Sequence, residues 1–236
     1  MRIFAALDIY QDHTARSAAM NMAIDEAILE YATVPAIRFY RWQSPALSFG
    51  YFGRFADVAS YQRERDLVRR WTGGGIVFHG DDLTYSVVIP VSDAAFSESS
   101  MSIYEKIHRA LREVLVAKKL NAVVVGTDDR GLGSAMIQPV RTGITDAGYS
   151  CFANPVRADV IVDGRKVAGA AQRRTRRGLL QQGSIQGVDS GNRLAERFAQ
   201  ALSTNCHQRE VDSAVLNRAG IIAGQKYGNK NWLRKR

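Results

Sequence analysis

Three consecutive glycines, Gly73–Gly75, lie between two strand-like apolar stretches of the chain. Glycine takes a positive φ and lets a backbone approach a ligand without a steric penalty. Three of them inside a strand pattern predict a sharp bend beside something bound rather than the interior of a sheet. Arg69 and Arg70 precede this bend, and a planar guanidinium suits a carboxylate, a phosphate or an acidic partner. A glycine hairpin flanked by two solvated arginines is the alternative that this stretch alone leaves open.

The hydrophobic pattern around the bend predicts strands that return in hairpins, together with a few helices. Helices are predicted over 15–32, from Ser102 to about 115, and after about 190; in the first, Asp25 lies off or at the edge of the apolar stripe. Strand-like runs occupy 36–42, 46–52, 67–71, 76–78, 83–91, 121–125, 158–162, 165–171 and 179–185. The first two runs are predicted to form a hairpin, and Asp163-Gly164 predicts a tight one. This order indicates an α+β fold with a mixed, largely antiparallel sheet flanked by helices.

The length of 236 residues fits a single domain that spans 1–236. A hydrophobic content of 46% and a charged content of 23% are ordinary for a globular protein. The segment 188–236 is predicted as a helical C-terminal extension. Its basic tail, 226–236, is expected to fray.

The formal net charge of +9 predicts an acidic partner. Nucleic acid, an anionic membrane surface and an acidic protein all meet that description. Nucleic-acid binders commonly interleave aromatic with basic residues, and the arginine cluster at 173–177 contains no aromatic residue. Nucleic acid is therefore not favoured, and the cluster indicates either a solvated face or a surface for an acidic carrier protein.

The two cysteines, Cys151 and Cys206, are too few for a disulfide framework, so a reducing compartment is expected. The N-terminal apolar run is interrupted by Asp8, which argues against a signal peptide. No apolar run in the sequence is long enough to span a bilayer. These observations predict a cytoplasmic protein without a membrane partner.

Cys151 and Lys166 are the candidates for covalent and acid–base chemistry. A cysteine between small and aromatic residues is commonly a buried, inert side chain, whereas a nucleophilic one needs a neighbouring cation or base. Arg165 and Lys166, on the return strand of the predicted hairpin, can supply that charge. Lys166 is either a solvated residue beside a turn or a cation that faces an acyl carbonyl, a carboxylate or a thiolate. The small residues beside it leave room for an apolar chain.

His79 lies just past the glycine bend, and it is either a structural donor or a site residue whose pKa suits proton transfer. No group of histidine, cysteine and carboxylate residues shows metal-ligand spacing, so no metal is predicted. Cys206 lies in a predicted link between helices and is interpreted as structural.

Several stretches, taken together and in order, resemble the lipoate–protein ligase and octanoyltransferase family, a relative of the biotin–protein ligase catalytic domain. They are Asn21–Glu26, Arg38–Trp42 with Leu47–Phe52, Arg69–His79, Asp163–Arg173 and Leu180–Ile185. The resemblance covers about 15–188. Its most specific parts are Arg-Arg-x-x-Gly-Gly-Gly, which begins at Arg69, and Gly-Arg-Lys-x-Ala-Gly, which begins at Gly164.

The resemblance implies an acyl pocket between the glycine stretch and the strand that carries Lys166. It implies that Lys166 contacts the acyl carbonyl, and that Cys151 occupies the position of the acyl-accepting cysteine of Gram-positive-type octanoyltransferases. The substrate-binding residues that it implies are Arg69, Arg70, Gly73, Gly74, Gly75, His79, Gly169 and Ala170. In such enzymes the cysteine takes octanoyl from acyl carrier protein and passes it to a lysine of a lipoyl domain. No cofactor is implied for this reaction.

An ATP-dependent lipoate–protein ligase is the alternative that the resemblance leaves open. In that enzyme Lys166 and the stretch 69–75 would hold a lipoyl-adenylate, ATP and Mg would be required, and Cys151 would only pack. Many such ligases carry an accessory C-terminal domain, for which this chain is expected to be too short, and this favours the transferase unless a separate chain supplies that part. The family often has His-Asp after the glycines, whereas this chain has His79-Gly80-Asp81. A non-enzymatic basic binding module is the third hypothesis.

Overall fold

Two sheets of different size carry the fold of the described residues, which are 2–127, 155–189, 191 and 193–235 of a computed structural model. The strands are β1 (Leu7–Gln11), β2 (Ala36–Tyr40), β3 (Ala46–Phe49), β4 (Asp66–Arg69), β5 (Val77–His79), β6 (Leu83–Pro90), β7 (Ala122–Val124), β8 (Val160–Val162), β9 (Arg165–Arg174), β10 (Gly178–Ile185) and β11 (Cys206–Arg209). The α-helices are α1 (Ala18–Tyr31), α2 (Ser100–Ala117), α3 (Leu194–Leu202), α4 (Ser213–Ile222) and α5 (Lys230–Leu233). Short 3₁₀ turns lie at Phe55–Asp57, Ala59–Arg63 and Ala94–Ser97, and one π-helical turn lies at Ala223–Tyr227.

The larger sheet has the strand order β11-β1-β2-β6-β10-β9-β8-β7 among the described residues. β1 runs parallel to both of its neighbours. The other neighbouring pairs in this order, which are β2-β6, β6-β10, β10-β9, β9-β8 and β8-β7, are antiparallel. This topology confirms the predicted α+β fold with a mixed, largely antiparallel sheet.

Helices cover both faces of the larger sheet. Because side chains alternate along a strand, Tyr85, Val87 and Ile89 of β6 pack on the side of α2 and α3, and Val88 packs on the side of α1 and α4. α2 buries an apolar stripe with the helical spacing that the sequence shows. The predicted start at Ser102 is wrong: Ser99 caps the helix by accepting a hydrogen bond from the Ser102 backbone N–H.

The smaller sheet places β3 between β4, which runs parallel to it, and β5, which runs antiparallel. The predicted hairpin between 36–42 and 46–52 is wrong. Both edges of β2 are already occupied, by β1 and by β6, so the chain leaves the larger sheet and β3 starts the second one. β4 and β5 therefore do not pair with each other, and the glycines connect them across β3.

The C-terminal segment packs against β4, although the sequence predicts that its basic tail frays. The buried guanidinium of Arg69 donates hydrogen bonds to the backbone carbonyls of Trp232, Leu233 and Lys235, at 2.6 to 3.2 Å. The indole N–H of Trp232 donates in return to the Arg69 carbonyl, at 2.9 Å. Hydrogen bonds from a charged donor contribute more than neutral ones, and four such bonds together with the one from the indole explain why this end is held.

Candidate active site

A cavity of about 390 Å³ lies between the two sheets. This size is within the range of small-molecule sites. Its walls combine apolar side chains and glycines with a few charged or polar groups. The residues that line it are Met22, Tyr40, Trp42, Ser48, Arg70, Gly74, Gly75, Val77, His79, Thr84, Val156, Asp159, Lys166, Gly169, Ala170, Ala171, Gln182, Gly183 and Ser184. The cavity can therefore hold an apolar chain with a polar head.

The structure brings most of the sequence-predicted site residues to this one cavity. Those that line it are Arg70, Gly74, Gly75, His79, Lys166, Gly169 and Ala170. Gly73 is not among the lining residues, and Arg69 points to the C-terminal segment. Cys151 lies outside the described residues.

Lys166 is held on the cavity wall by a buried ion pair. Its ammonium lies 2.7 Å from Asp159 Oδ2, and the side chains of the two residues are 5% and 0% exposed. Asp159 also accepts hydrogen bonds from the Tyr104 hydroxyl and from the Val156 backbone N–H, each at 2.7 Å. Burial, followed by the charge of Asp159, raises the pKa of Tyr104 well above its usual value, so this hydroxyl stays protonated and donates.

Local backbone geometry explains how Asp159 and Lys166 meet. Asp163 and Gly164 have φ values of 48° and 79°, which form the tight turn that the Asp-Gly sequence predicts. Ala158 has a φ of 68°, and the β8–β9 ladder shifts its register between Val160 and Ile161. A bulge of this kind redirects side chains. It lies next to Asp159, which directly precedes β8, and the Asp159 side chain meets Lys166 on the neighbouring strand β9.

Gly169 leaves space for the observed position of the lysine. A Cβ at Gly169 would lie 2.6 Å from Cε and 2.8 Å from Nζ of Lys166. No side chain fits there unless the lysine moves. The small residues of β9 thus leave space for the ammonium as well as for a ligand.

A second polar chain, Asp82–His79–Ser48–Arg70, lies on the opposite wall. Asp82 Oδ2 is 2.8 Å from His79 Nδ1, and His79 Nε2 is 2.6 Å from the Ser48 hydroxyl. The Arg70 guanidinium donates to that hydroxyl at 2.7 Å. Because the carboxylate accepts from Nδ1–H, Nε2 is the acceptor for the serine hydroxyl. The Ser48 hydroxyl therefore donates to His79, and its oxygen accepts from Arg70.

Burial keeps this histidine neutral. It lowers the pKa of His79, although the Asp82 carboxylate acts in the opposite direction. Burial would raise the pKa of Asp82, yet hydrogen bonds from His79, Ser184 and Thr84 lower it to about 2. The acid that contacts the histidine is thus Asp82, and not Asp81 of the His79-Gly80-Asp81 sequence.

The glycine bend is fixed by Arg70 and by close contact with β3. The second guanidinium nitrogen of Arg70 donates to the carbonyls of Gly73 and Gly75, at 3.0 and 2.8 Å. Gly74 has a φ of 84°, in the region that favours glycine. A Cβ at Gly50, just after β3, would lie 2.0 Å from the Gly74 carbonyl oxygen. Two backbones therefore touch where the bend meets the cavity.

A buried network that sequence reasoning missed supports the same wall. The Gln182 side chain donates to Asp25 at 2.7 Å and accepts from the Thr72 hydroxyl at 2.8 Å. Asp25 is fully buried and forms an ion pair with Arg38 at 2.9 Å. The sequence predicts that Asp25 lies off or at the edge of the apolar stripe of α1, whereas the structure buries it. The signal that could have indicated this network was a carboxylate on a helix whose residues are buried on nearly all sides.

The described residues contain no group of three or more histidine, cysteine or acidic side chains arranged to hold a metal ion. None of the helices in the described ranges is long and apolar enough to cross a membrane.

Known proteins resemble this chain in sequence and in fold. The family model described as lipoyl protein ligase A/B catalytic domain matches residues 17–221. Octanoyltransferase LipM of Oceanobacillus iheyensis is 34% identical over 229 residues, which cover 92% of this chain and 79% of that protein. Octanoyltransferase LipM of Carboxydothermus hydrogenoformans is 35% identical over 182 residues, which cover 74% of this chain and 62% of that protein.

A proposed lipoate protein ligase from T. acidophilum, solved with bound lipoic acid, superimposes with a TM-score of 0.72. The superposition covers 99% of both chains at 19% sequence identity. At this identity the similarity shows the fold alone.

Proposed function

Because the chain belongs to the family of lipoyl protein ligase A/B catalytic domains, we propose that it transfers an octanoyl or lipoyl group to a lysine of lipoyl domains. We further propose that the donor is acyl carrier protein and that Cys151 carries the acyl group as a thioester. Relatives named octanoyltransferases support the type of reaction. The cysteine and the donor come from the sequence resemblance.

The observation that carries the proposal is the buried ammonium of Lys166 on the wall of an apolar cavity. A cation in a site from which water is excluded stabilises charge that develops on a carbonyl oxygen much more than it would in water. Asp159 fixes the ammonium at 2.7 Å, so little reorganisation is needed when the reaction occurs. Lys166 is accordingly the group that binds and polarises the acyl carbonyl.

The proposed reaction has two transfers. The Cys151 thiolate attacks the donor thioester, a C–S bond forms to the enzyme, and the donor's thiolate leaves and takes up a proton. The amine of the acceptor lysine then attacks the acyl-enzyme; an amide forms, the Cys151 thiolate leaves, and the proton that the amine loses replaces the one that Lys166 gave to the donor's thiolate. Lys166 stabilises the oxyanion of both tetrahedral intermediates, and it acts as cationic partner of the thiolate and as proton shuttle.

The proposed reaction uses no cofactor, since the energy of the thioester drives amide formation. The net charge of +9 supports acidic protein partners, because opposite charges accelerate encounter in a salt-dependent way. We place the reaction in the cytoplasm, as the sequence predicts.

Intact-mass spectrometry of the protein mixed with octanoyl carrier protein, without ATP, tests this proposal. We expect an octanoyl adduct that is absent in Cys151→Ala and that disappears when an apo-lipoyl domain is added. Cys206→Ala is the matched control and should keep the adduct, because burial raises the pKa of the Cys206 thiol. Absence of the adduct, together with ATP-dependent attachment of free lipoate, would replace the transferase with the ligase.

A further inference from the structure

We propose that a surface of alternating aromatic and cationic side chains beside the cavity docks the acidic acceptor domain that receives the acyl group, an inference that rests on the proposed function. We call it the aromatic–cation surface. It consists of Tyr51, Phe52, Trp71, Arg173, Trp232 and Lys235.

Contacts within the aromatic–cation surface hold its cations in place. The Arg173 guanidinium carbon lies 5.2 and 5.3 Å from the ring centroids of Tyr51 and Trp71. The Lys235 ammonium lies 4.6 and 5.5 Å from those of Tyr51 and Trp232. An aromatic ring attracts a cation through its quadrupole and carries no net charge, so it orients the cation without neutralising it. The positive charge remains available to a partner.

Two neighbouring arginines of the cluster at 173–177 have partners outside the aromatic–cation surface. Arg174 lies 4.3 Å from the centroid of the Phe96 ring and donates to the backbone carbonyls of Phe96 and Glu98, and Arg177 forms an ion pair with Glu30 at 3.0 Å. Arg173 belongs to the aromatic–cation surface because it contacts the rings of Tyr51 and Trp71. The rings come from distant parts of the chain, which is why the local sequence shows no aromatic residue there.

Arg69 assembles the aromatic–cation surface from these parts. Besides the C-terminal carbonyls, its guanidinium donates to the carbonyls of Tyr51 and Gly53, at 2.8 and 2.6 Å. One side chain thus joins the loop after β3 to the C-terminal segment. Phe52 is left 84% exposed and packs edge-on against Tyr51, with ring centroids 5.0 Å apart.

The aromatic–cation surface adjoins the rim of the cavity. Gly74 is exposed and also lines the cavity, so it marks a rim position. Trp71 precedes Gly74 by three residues, and the Tyr51 backbone N–H donates to the Thr72 carbonyl at 2.9 Å. On the other side, Arg173 follows Ala171, a lining residue, along β9. A partner bound here would lie beside the opening through which the acyl group is handed over.

The chemistry of the surface selects an acidic protein as its occupant. Tyrosine, tryptophan and arginine carry most of the binding energy in protein interfaces, and a basic rim steers acidic partners. We choose the lipoyl domain over acyl carrier protein as the occupant, because thioester transfer and adenylate chemistry both require a lipoyl domain as the acyl acceptor. The surface therefore serves the step that the two candidate reactions share.

The test compares charge-reversed variants in steady-state transfer to a purified acidic apo-lipoyl domain. Arg173→Glu/Lys235→Glu reverses the surface, and Arg193→Glu/Arg197→Glu, on the opposite face of the larger sheet, gives the same net charge. We expect the first pair to raise the KM for the lipoyl domain about 10-fold at low salt, with kcat little changed. The second pair should stay close to wild type. Phe52→Ser, at an exposed position, should raise KM without affecting the fold.

Two further measurements separate this proposal from the proposed function. Binding of the lipoyl domain, followed by ¹⁵N chemical shifts, needs no catalysis; binding that the surface variant loses and the control keeps supports docking even if no transfer occurs. Loading from octanoyl-pantetheine should be equal in all variants. Lipoyl-domain binding that is unchanged in Arg173→Glu/Lys235→Glu overturns the proposal. A defect of this variant that is confined to the reaction with octanoyl carrier protein overturns it as well. So does binding of a single-stranded oligonucleotide to the wild-type protein that is as tight as binding of the lipoyl domain.

Discussion

At the scale of single residues, the pair Asp159–Lys166 links stability to activity. Lys166→Met leaves the Asp159 carboxylate buried without its cation, which costs about 3–5 kcal/mol of unfolding free energy. The same change should lower acyl transfer about 10²–10³-fold, as loss of an oxyanion-stabilising donor does. Adding Asp159→Asn removes the buried charge while keeping a hydrogen-bond acceptor for Tyr104. We expect the double variant to recover stability but not activity.

Thermal unfolding and transfer assays on the two single variants and the double variant form the required cycle. Recovery of transfer in Lys166→Met/Asp159→Asn would show that the lysine does not touch the reacting carbonyl. A double variant as unstable as Lys166→Met would show that the carboxylate charge is not the source of the loss.

His108 belongs to the same scale, and it predicts the behaviour of the protein in mild acid. Its ring bridges the Tyr85 hydroxyl and the Ala158 carbonyl, and burial lowers its pKa to about 4. Between about pH 6.5 and pH 4 the unfolded chain binds a proton that the folded chain does not. The unfolding free energy should therefore fall by about 3 kcal/mol as the pH drops through this window. The lowered pKa of His79 acts in the same direction.

Urea unfolding at pH 7, 5.5 and 4.5 measures this dependence. Glutamine can accept from the tyrosine and donate to the carbonyl but does not titrate, so His108→Gln should show a shallower decline than wild type. Parallel declines in the two proteins would assign the acid sensitivity to other groups.

At the scale of elements, β9 shows how backbone requirements position chemistry. Gly169 lies against the lysine stem, whereas a Cβ at Gly73 would meet nothing within 4 Å. Gly169→Ala should displace the ammonium and lower transfer about 100-fold, since a shift of about 1 Å in a reacting group has such effects. Gly73→Ala is the matched control and should keep near-normal activity. Equal losses in both variants would contradict the role assigned to the Lys166 position.

The elements also show where sequence patterns were informative. Asp163-Gly164 predicts its turn because the required φ values are a local property of those two residues. The hairpin expected between 36–42 and 46–52 fails because pairing depends on which strand edges are free, and β1 and β6 fill both edges of β2. Turn chemistry is encoded nearby in the sequence, whereas strand partnership is decided by the whole sheet.

At the scale of the molecule, the sequence predicts residues of the candidate site but not the contacts that they make. The motifs placed Lys166, Arg70 and His79 at one cavity, yet nothing in their spacing named Asp159 or Ser48 as partners. The sequence predicts Arg69 as a substrate-binding residue because it does not reveal the partners of the guanidinium. These are carbonyls of the C-terminal segment, more than 160 residues away. Such long-range contacts leave no periodic signal in the sequence.

The cavity itself lies between two sheets that meet only in the folded chain, so a ligand that fills it should stabilise the whole molecule. Octanoate or lipoic acid at 100 times its Kd should add about 2.7 kcal/mol to the unfolding free energy and raise Tm by several degrees. Ala171→Leu narrows the cavity and should abolish this shift. Ala117→Leu makes the same change at an exposed position of α2 and should keep it. Calorimetry of the three proteins with and without ligand decides the matter: a shift that survives in Ala171→Leu would place the acyl chain elsewhere.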